Sequence, residues 1–183
     1  MRRIRIKSRV VVTAVFIIIV VLLVVPVIIW FLKPAILLNI WIVDKTVPQN
    51  DFREHGGLFW IFNFEKIKDK NQNPYNLKKD YFGFHPDSKN YRIRDIGFKD
   101  IQQKYYPDII YLTDAYGVYK DDLNKNSKLD TKSELIYGGI TKNDLLYINA
   151  SLKNNILVGE FNIFQYPTEK AVSERLQDIF GVE

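Results

Sequence analysis

The hydrophobic pattern begins with an uncharged run from Val10 to Leu32, in which Thr13 is the only polar residue and Pro26 the only helix breaker. About 20 apolar residues cross the hydrocarbon core of a bilayer as a helix, so this run predicts a transmembrane helix. A proline is tolerated in such a helix, and Trp30 lies near the outer end, where aromatic rings favour the interface. A cleaved signal peptide is the alternative, but its apolar core spans only about 7–15 residues and ends in small residues.

Beyond this run, short apolar segments alternate with segments of helical periodicity. Branched and aromatic apolar runs predict three strands: Leu37 to Val43, Asp108 to Thr113 and Ile156 to Phe164. Apolar residues at helical spacing predict four helices: Gly57 to Ile67, Asp95 to Tyr105 with Asp95 as its cap, one opened by Thr141 with Asp144 completing a capping box, and one from Pro167-Thr168 to Gly181.

This order of elements predicts an α/β fold: a doubly wound, mainly parallel sheet with right-handed crossovers and helices on both faces. Three strands are fewer than the usual five or six, and the chain ends as its last helix ends. We therefore expect a sheet that is incomplete at its C-terminal end and is completed by a longer chain or by a partner chain. Alternatively, Tyr81 to Phe84 and Leu135 to Tyr137 supply the missing strands.

The charge distribution predicts the orientation in the membrane. The five basic residues that precede the apolar run account for the whole formal net charge of +5. Because positive flanks stay in the cytoplasm, we expect a cytoplasmic tail (1–9), a membrane-spanning helix (10–32), a linker (33–37) and an extracytoplasmic domain (38–183). The cell membrane is then the predicted location and the lipid bilayer the predicted partner. The domain itself is neutral and has no basic cluster, so nucleic-acid binding is not predicted.

The chain contains no cysteine, which excludes disulfides, thiolate metal sites and thiol nucleophiles. Asp122, Asn124 and Asn126 resemble the start of a calcium-binding loop, but Ser127 and Ser133 stand where that motif needs glycine and glutamate. The segment is better interpreted as a solvated loop. Gly138-Gly139 lacks the spacing and the following lysine of a phosphate-binding loop. No metal and no cofactor are predicted.

Ligands of open parallel sheets bind beyond the carboxyl ends of the strands. The candidate ligand-binding residues at that edge are Asp44, Lys45, His55, Asp114, Tyr116, Gly138, Gly139, Glu160 and Asn162. Each has a structural alternative: the two aspartates can cap loops, Lys45 can form an ion pair, and His55 can be a solvated residue preceding the first helix. Glu160 is the least expected, because an acid in an apolar strand is costly unless it is paired or at an edge.

Several segments resemble a known group of proteins. They are Asp-Ile-Ile-Tyr-Leu-Thr-Asp-Ala-Tyr-Gly-Val-Tyr (108–119), Ile-Tyr-Gly-Gly-Ile (136–140), Gly-Glu-Phe-Asn (159–162) with Pro167-Thr168, and Glu54-His55-x-Gly-Leu-Phe-Trp. Together they resemble bacterial membrane proteins with a class I glutamine amidotransferase-like domain. The resemblance implies a flavodoxin-like layer over roughly residues 38–182. It does not imply the activity, because the cysteine that such enzymes use is missing.

These observations are compatible with three functions. The leading hypothesis is a membrane-anchored extracytoplasmic domain, without amidotransferase activity, that binds a ligand or partner at the cell surface. A second hypothesis is a hydrolase of cell-envelope material in which Asp44, Asp114 and Glu160 act as acid and base. A third is a structural subunit of a membrane assembly. A deep pocket with converging carboxylates favours the enzyme, whereas a shallow face favours binding.

Overall fold

The computed structural model describes residues 8–87, 90–102, 106–123 and 133–182, in two compact units divided after Ala35. The first unit is helix α1 (Ser8–Leu32), which contains Pro26 without being ended by it. Within α1, Arg9–Leu32 has a hydropathy of 3.5 and none of it is buried. Among the described residues this is one helix that is long and apolar enough to cross a membrane, by length and composition.

The second unit alternates strands and helices. The strands of its described residues are β1 (Ile36–Leu37), β2 (Ile40–Asp44), β3 (Ile67–Lys68), β4 (Phe82–Pro86), β5 (Tyr91–Arg94), β6 (Ile109–Asp114), β7 (Val118–Tyr119), β8 (Leu135–Tyr137) and β9 (Ile156–Gly159). The helices are α2 (Arg53–Glu65), α3 (Phe98–Ile101), α4 (Lys142–Ser151) and α5 (Lys170–Phe180). Short 3-10 turns cover Lys120–Leu123 and Phe161–Ile163.

The main sheet has five strands in the order β5-β4-β2-β6-β9. Strands β4, β2, β6 and β9 run parallel, and β5 is an antiparallel edge strand beside β4. The mixed α/β class and the mostly parallel sheet are therefore confirmed. The expectation of only three strands is wrong, because Phe82–Pro86 joins the sheet and carries β5 as its hairpin partner. Leu135–Tyr137 is also a strand, but it pairs with β7 in a separate ribbon.

Alternating side chains of the central strands build a core on each face of the sheet. Trp41 and Val43 of β2 pack on one face with residues of α4 and α5, including Ile148 and Leu176. Ile40 and Ile42 pack on the other face with Phe59 and Phe62 of α2. The long apolar runs seen in the sequence follow from this arrangement, because a parallel strand covered on both sides needs apolar residues at successive positions.

Two predicted helices have different bounds in the structure. Helix α2 begins at Arg53 rather than Gly57, because Phe52 adopts a left-handed conformation (φ 49°) that turns the chain into the helix. His55 therefore lies in the first turn instead of preceding the helix. The helix predicted over Asp95 to Tyr105 is reduced to α3, which Gly97 and not Asp95 caps. Residues 103–105 lie outside the described residues.

The C-terminal part follows the predicted order with shorter elements. Thr141 caps α4, and its hydroxyl accepts from the backbone N–H of Asp144 while the Asp144 carboxylate accepts from the N–H of Thr141, as the capping box predicts. Strand β9 ends at Gly159 and a 3-10 turn follows, so the predicted extension to Phe164 is wrong. Helix α5 begins at Lys170 and ends at Gly181, whose φ of 67° suits a glycine C-cap.

Candidate functional site

The chain reverses its direction of travel across the sheet between β2 and β6. From β2 it moves to β4 on one side, and from β4 it returns to β6 on the other side of β2. The segments that follow β2 and β6 consequently leave the sheet toward opposite faces, and such a point is where open α/β sheets hold their ligands. Asp44 and Lys45 lie at the end of β2, and Asp114 lies at the end of β6.

Asp44 is fully buried and contacts the ring of His55. Its Oδ2 lies 2.6 Å from Nδ1 of His55, and both side chains are 0% exposed. Its Oδ1 accepts from the backbone N–H of Thr46 at 3.0 Å. The other ring nitrogen of His55 lies 3.2 Å from the carbonyl oxygen of Leu77, which can only accept, so Nε2 is the donor.

Aromatic rings enclose this pair. The ring of His55 lies 4.5 Å from Tyr81, 5.2 Å from Phe59 and 5.8 Å from Phe52. Burial is the main reason that the pKa of Tyr81 is raised, and the charge of Asp44 adds to it. The alternative of a solvated His55 is therefore wrong, and neither Asp44 nor His55 reaches a ligand from solvent. Their contacts fix the start of α2 against the end of β2.

A second histidine, His85, also stacks on Tyr81, with 4.0 Å between the ring centres. The pKa of His85 is lowered, mainly because the ring is buried. The nearby charges of Arg92 and Arg94 lower this pKa further, whereas the hydrogen bonds to the carbonyls of Lys78 and Tyr81 raise it. His85 and His55 therefore belong to the same group of buried aromatic rings, because both contact Tyr81. His85 was not among the residues predicted from the sequence, and in β4 it lies on the face of the strand opposite to Phe82 and Phe84.

Lys45 is 1% exposed and lies at the centre of a buried charge network. Its Nζ contacts Oδ2 of Asp144, which is equally buried, and lies 3.5 Å from Oδ1 of Asp95. It also lies 4.9 Å from the ring centre of Tyr137. The predicted ion pair of Lys45 is therefore present, but its partner comes from the capping box of α4 and not from the neighbourhood of Asp44.

Tyr137 and Asp95 connect this network to the surface. The hydroxyl of Tyr137 donates to Oδ1 of Asp95, and the Asp95 side chain is 50% exposed. Burial, followed by the hydrogen bond to Asp95, raises the pKa of Tyr137 above its ordinary value. The local sequence pattern predicts Asp95 and Asp144 only as helix-capping residues. Their contact with Lys45 depends on long-range packing, which neither local pattern reveals.

Asp114, Asn162 and Tyr116 lie together where β6 and β9 end. Oδ1 of Asp114 accepts from the backbone N–H of Tyr116 at 2.7 Å, and its Oδ2 lies 3.4 Å from Nδ2 of Asn162. Tyr116 itself is 52% exposed, and its ring lies 5.2 Å from that of Tyr119. Asp114 thus braces its own loop, as the structural alternative predicts, while Tyr116 remains open to solvent.

Glu160 follows β9 and is half-buried. Its Oε1 accepts from the hydroxyl of Tyr111 at 2.9 Å. Burial is the main cause that raises the pKa of Tyr111, and the carboxylate of Glu160 raises it further. The cost of an acid in an apolar strand is avoided because Glu160 stands just outside β9, next to a hydroxyl donor.

Gly138 and Gly139 provide close approach between backbone segments. A Cβ at Gly138 would lie 2.6 Å from Cα of Gly117, and one at Gly139 would lie 2.6 Å from the carbonyl oxygen of Pro167. The N–H of Gly139 donates to the carbonyl of Ala115 at 2.8 Å. This N–H is therefore used within the fold and does not point outward to a ligand. Gly139 joins the loop after β6 to the loop before α5.

A cavity of about 730 Å³ opens beyond the carboxyl end of β4, and none of the nine candidate residues predicted from the sequence lines it. Its lining comes from the segment after β2, the ends of β4 and β5, and the 3-10 turn after β7: Pro48, Gln49, Asn50, Phe84, Pro86, Asp87, Asn90, Tyr91, Asp122 and Leu123. The volume is within the usual range for small-molecule sites. The cavity was missed in the sequence because its lining comes from four separate segments.

The described residues contain no group of three or more His, Asp or Glu side chains that could hold a metal ion. Of the residues compared with a calcium-binding loop, Asn124, Asn126 and Ser127 lie outside the described part of the chain. Asp122 accepts from the backbone N–H of Tyr119 at 2.7 Å. No protein-family model, no curated protein and no solved structure matches this chain.

Proposed function

We propose that this chain is a membrane-anchored protein whose second unit lies outside the cytoplasm and binds an uncharged polar ligand at the cell surface. The support for the anchor is the length and composition of α1. The support for the orientation is the group of five basic residues on its N-terminal side, because such flanks remain in the cytoplasm.

Thiol labelling tests this orientation, since the chain has no cysteine of its own. We expect an impermeant maleimide added to intact cells to label a Leu146→Cys variant, because Leu146 is 61% exposed on α4. An Ile6→Cys variant should be labelled only after the membrane is permeabilised. Labelling of position 6 and protection of position 146 in intact cells would reverse the proposed orientation.

The observation that carries the ligand-binding proposal is the cavity of about 730 Å³ beyond the carboxyl end of β4. Its described lining combines the amides of Gln49, Asn50 and Asn90, the carboxylates of Asp87 and Asp122 and the ring of Tyr91, and contains no lysine or arginine. Phosphates and other anions are normally bound by basic side chains or backbone N–H groups. Amides, acceptor carboxylates and an aromatic face fit a neutral, hydroxyl-rich molecule such as an oligosaccharide, whose hydroxyl groups donate to the carboxylates.

The alternative of a carboxylate-dependent hydrolase is less well supported. Asp44 is fully buried against His55, so it cannot contact a substrate from solvent. The remaining acids of that hypothesis, Asp114 and Glu160, accept from Asn162 and Tyr111 respectively. None of these three acids lines the cavity; the two acids that do are Asp87 and Asp122, and Asp122 accepts from the backbone N–H of Tyr119. A binding role requires no such convergence.

The relation to amidotransferase-like membrane proteins remains part of the proposal. The four parallel strands follow the order of a flavodoxin-like sheet, with the second strand beside the first and the third on the other side. Crossover helices pack on both faces, as in a doubly wound fold. These features support a flavodoxin-like layer, and the absence of cysteine leaves it without the nucleophile of that chemistry.

A binding experiment with a Tyr91→Ala variant tests the ligand class. The full chain in detergent should gain thermal stability with members of a panel of neutral oligosaccharides, because a ligand that binds only the folded state stabilises it. Inorganic phosphate and nucleotides should give no shift. Tyr91→Ala should abolish the shift, whereas Tyr106→Ala, a tyrosine of similar exposure that does not line the cavity, should retain it. Stabilisation by phosphate alone would contradict the proposal.

A further inference from the structure

Helix α2 is apolar on both of its faces. Its inner face contributes His55, Phe59 and Phe62 to the core. Its outer face exposes Trp60 (66%), Ile61 (48%) and Phe64 (50%), and the rings of Trp60 and Phe64 stack at 5.3 Å. A helix on the surface of a globular domain normally presents polar residues outward, so an outer face of this composition marks a contact surface.

The position of α2 along the chain indicates what this face contacts. Strand β3 follows α2 after one residue and pairs in parallel with β1, so that Ile36 lies opposite Ile67. Only Lys33, Pro34 and Ala35 separate β1 from the end of α1. Four Cα steps from Leu32 to Ile36 reach roughly 14 Å at most. If α1 spans a bilayer, the C-terminal end of α2 is therefore tethered close to the interfacial region of that bilayer.

The side chains of the outer face suit that interfacial region. Tryptophan is enriched at the membrane–water boundary because its ring is amphipathic. Helices that lie in this plane bury Trp, Phe and Leu side chains and often carry basic residues near the headgroups. Lys68 lies three residues beyond the end of α2, and its positive charge suits the phosphates of lipid headgroups.

From these observations we infer that the outer face of α2, formed by Trp60, Ile61 and Phe64, lies on the surface of the same bilayer that holds α1. This inference rests on the proposed membrane anchor and adds to it a second attachment. The exposed apolar area is then removed from water, and the domain is held against the membrane instead of swinging on its three-residue linker.

Site-directed spin labelling of the full chain in lipid nanodiscs tests this inference. Single cysteines replace Ile61 on the outer face of α2, Leu146 on α4 as an equally apolar and exposed control on the opposite face of the sheet, and Val20 within α1. For each nitroxide we measure the rate of collision with oxygen, which concentrates in lipid, and the rate of collision with a water-soluble nickel chelate. We expect the ratio of oxygen to nickel accessibility to be severalfold higher at position 61 than at position 146, and highest at position 20.

The possible outcomes separate this inference from the proposed function. A label at position 61 that is as accessible to nickel as the one at 146, with position 20 in lipid, overturns the bilayer contact and leaves the anchor intact. Protection of position 61 from both oxygen and nickel also overturns it, because a protein partner or a second copy then covers the face. Nickel access at position 20 overturns the anchor itself.

Discussion

Replacing Gly83 by alanine is expected to unfold much of the second unit. Gly83 pairs with Asp44 in the register between β4 and β2, and its φ is +147°. A Cβ at this position would lie 1.6 Å from the carbonyl oxygen of Asp44, and this neighbour is backbone that cannot move aside. Backbone strain and overpacking each cost about 1–3 kcal/mol. Their combined cost of about 2–6 kcal/mol is comparable with the whole stability of many domains.

Thermal melting of the full chain in detergent, followed by near-ultraviolet circular dichroism, measures this effect. At about 2–4 °C per kcal/mol for a domain of this size, we expect the transition of Gly83→Ala to fall by roughly 10 °C or to be lost. Gly57→Ala is the matched control. Gly57 is exposed within α2 and has no atom within 4 Å of a new Cβ, so alanine should leave stability unchanged or raise it by about 1 kcal/mol. Equal melting of the two variants would contradict the steric argument.

The elements that could be predicted from sequence are those whose pattern is local. Strand β6 was predicted within one residue at each end because its run of branched apolar residues is buried on both faces. The start of α4 was predicted because the Thr141 and Asp144 side chains satisfy each other's backbone groups within one turn. Strand β4 was predicted only as an alternative, through Tyr81 to Phe84. Strand β5 was not predicted, because it is an exposed edge strand without a continuous apolar run.

The sequence predicted the edge of the sheet at which the strand-end residues lie, but neither their contacts nor the cavity. All strand-end residues selected from the sequence lie at the carboxyl edge, since parallel strands end on the same side. Whether a given side chain faces solvent or the core depends on packing from distant elements. Asp44 contacts His55 of α2, whose ring packs against Phe59 and Tyr81. Lys45 contacts Asp144 of α4. The cavity that carries the functional proposal is formed by segments whose sequences are polar and irregular.

Lys45 is the second position where a single substitution should have a large effect. Its ammonium group is 1% exposed and contacts the Asp144 carboxylate, which is also 1% exposed. Removing one partner of a buried ion pair leaves the other charge without compensation, at a cost of about 3–5 kcal/mol. We therefore expect Lys45→Met, which preserves the length and apolar stem of the side chain, to lower the free energy of unfolding by about that amount in urea titrations of the full chain.

Two further variants decide whether the buried charge is the cause. Lys142→Met removes an exposed lysine that lies 3.1 Å from Glu169, and pairs of that kind contribute about 0–1 kcal/mol. Adding Asp144→Asn to Lys45→Met should recover part of the lost stability, because asparagine removes the uncompensated charge and keeps an oxygen that can accept from Thr141. If the charge of Asp144 were tolerated without Lys45, adding Asp144→Asn would only weaken the cap of α4. The double variant would then be less stable than Lys45→Met. Recovery in the double variant would instead locate the cost in the unpaired carboxylate, and would make Lys45 the residue that allows the cap of α4 to be buried against the end of β2.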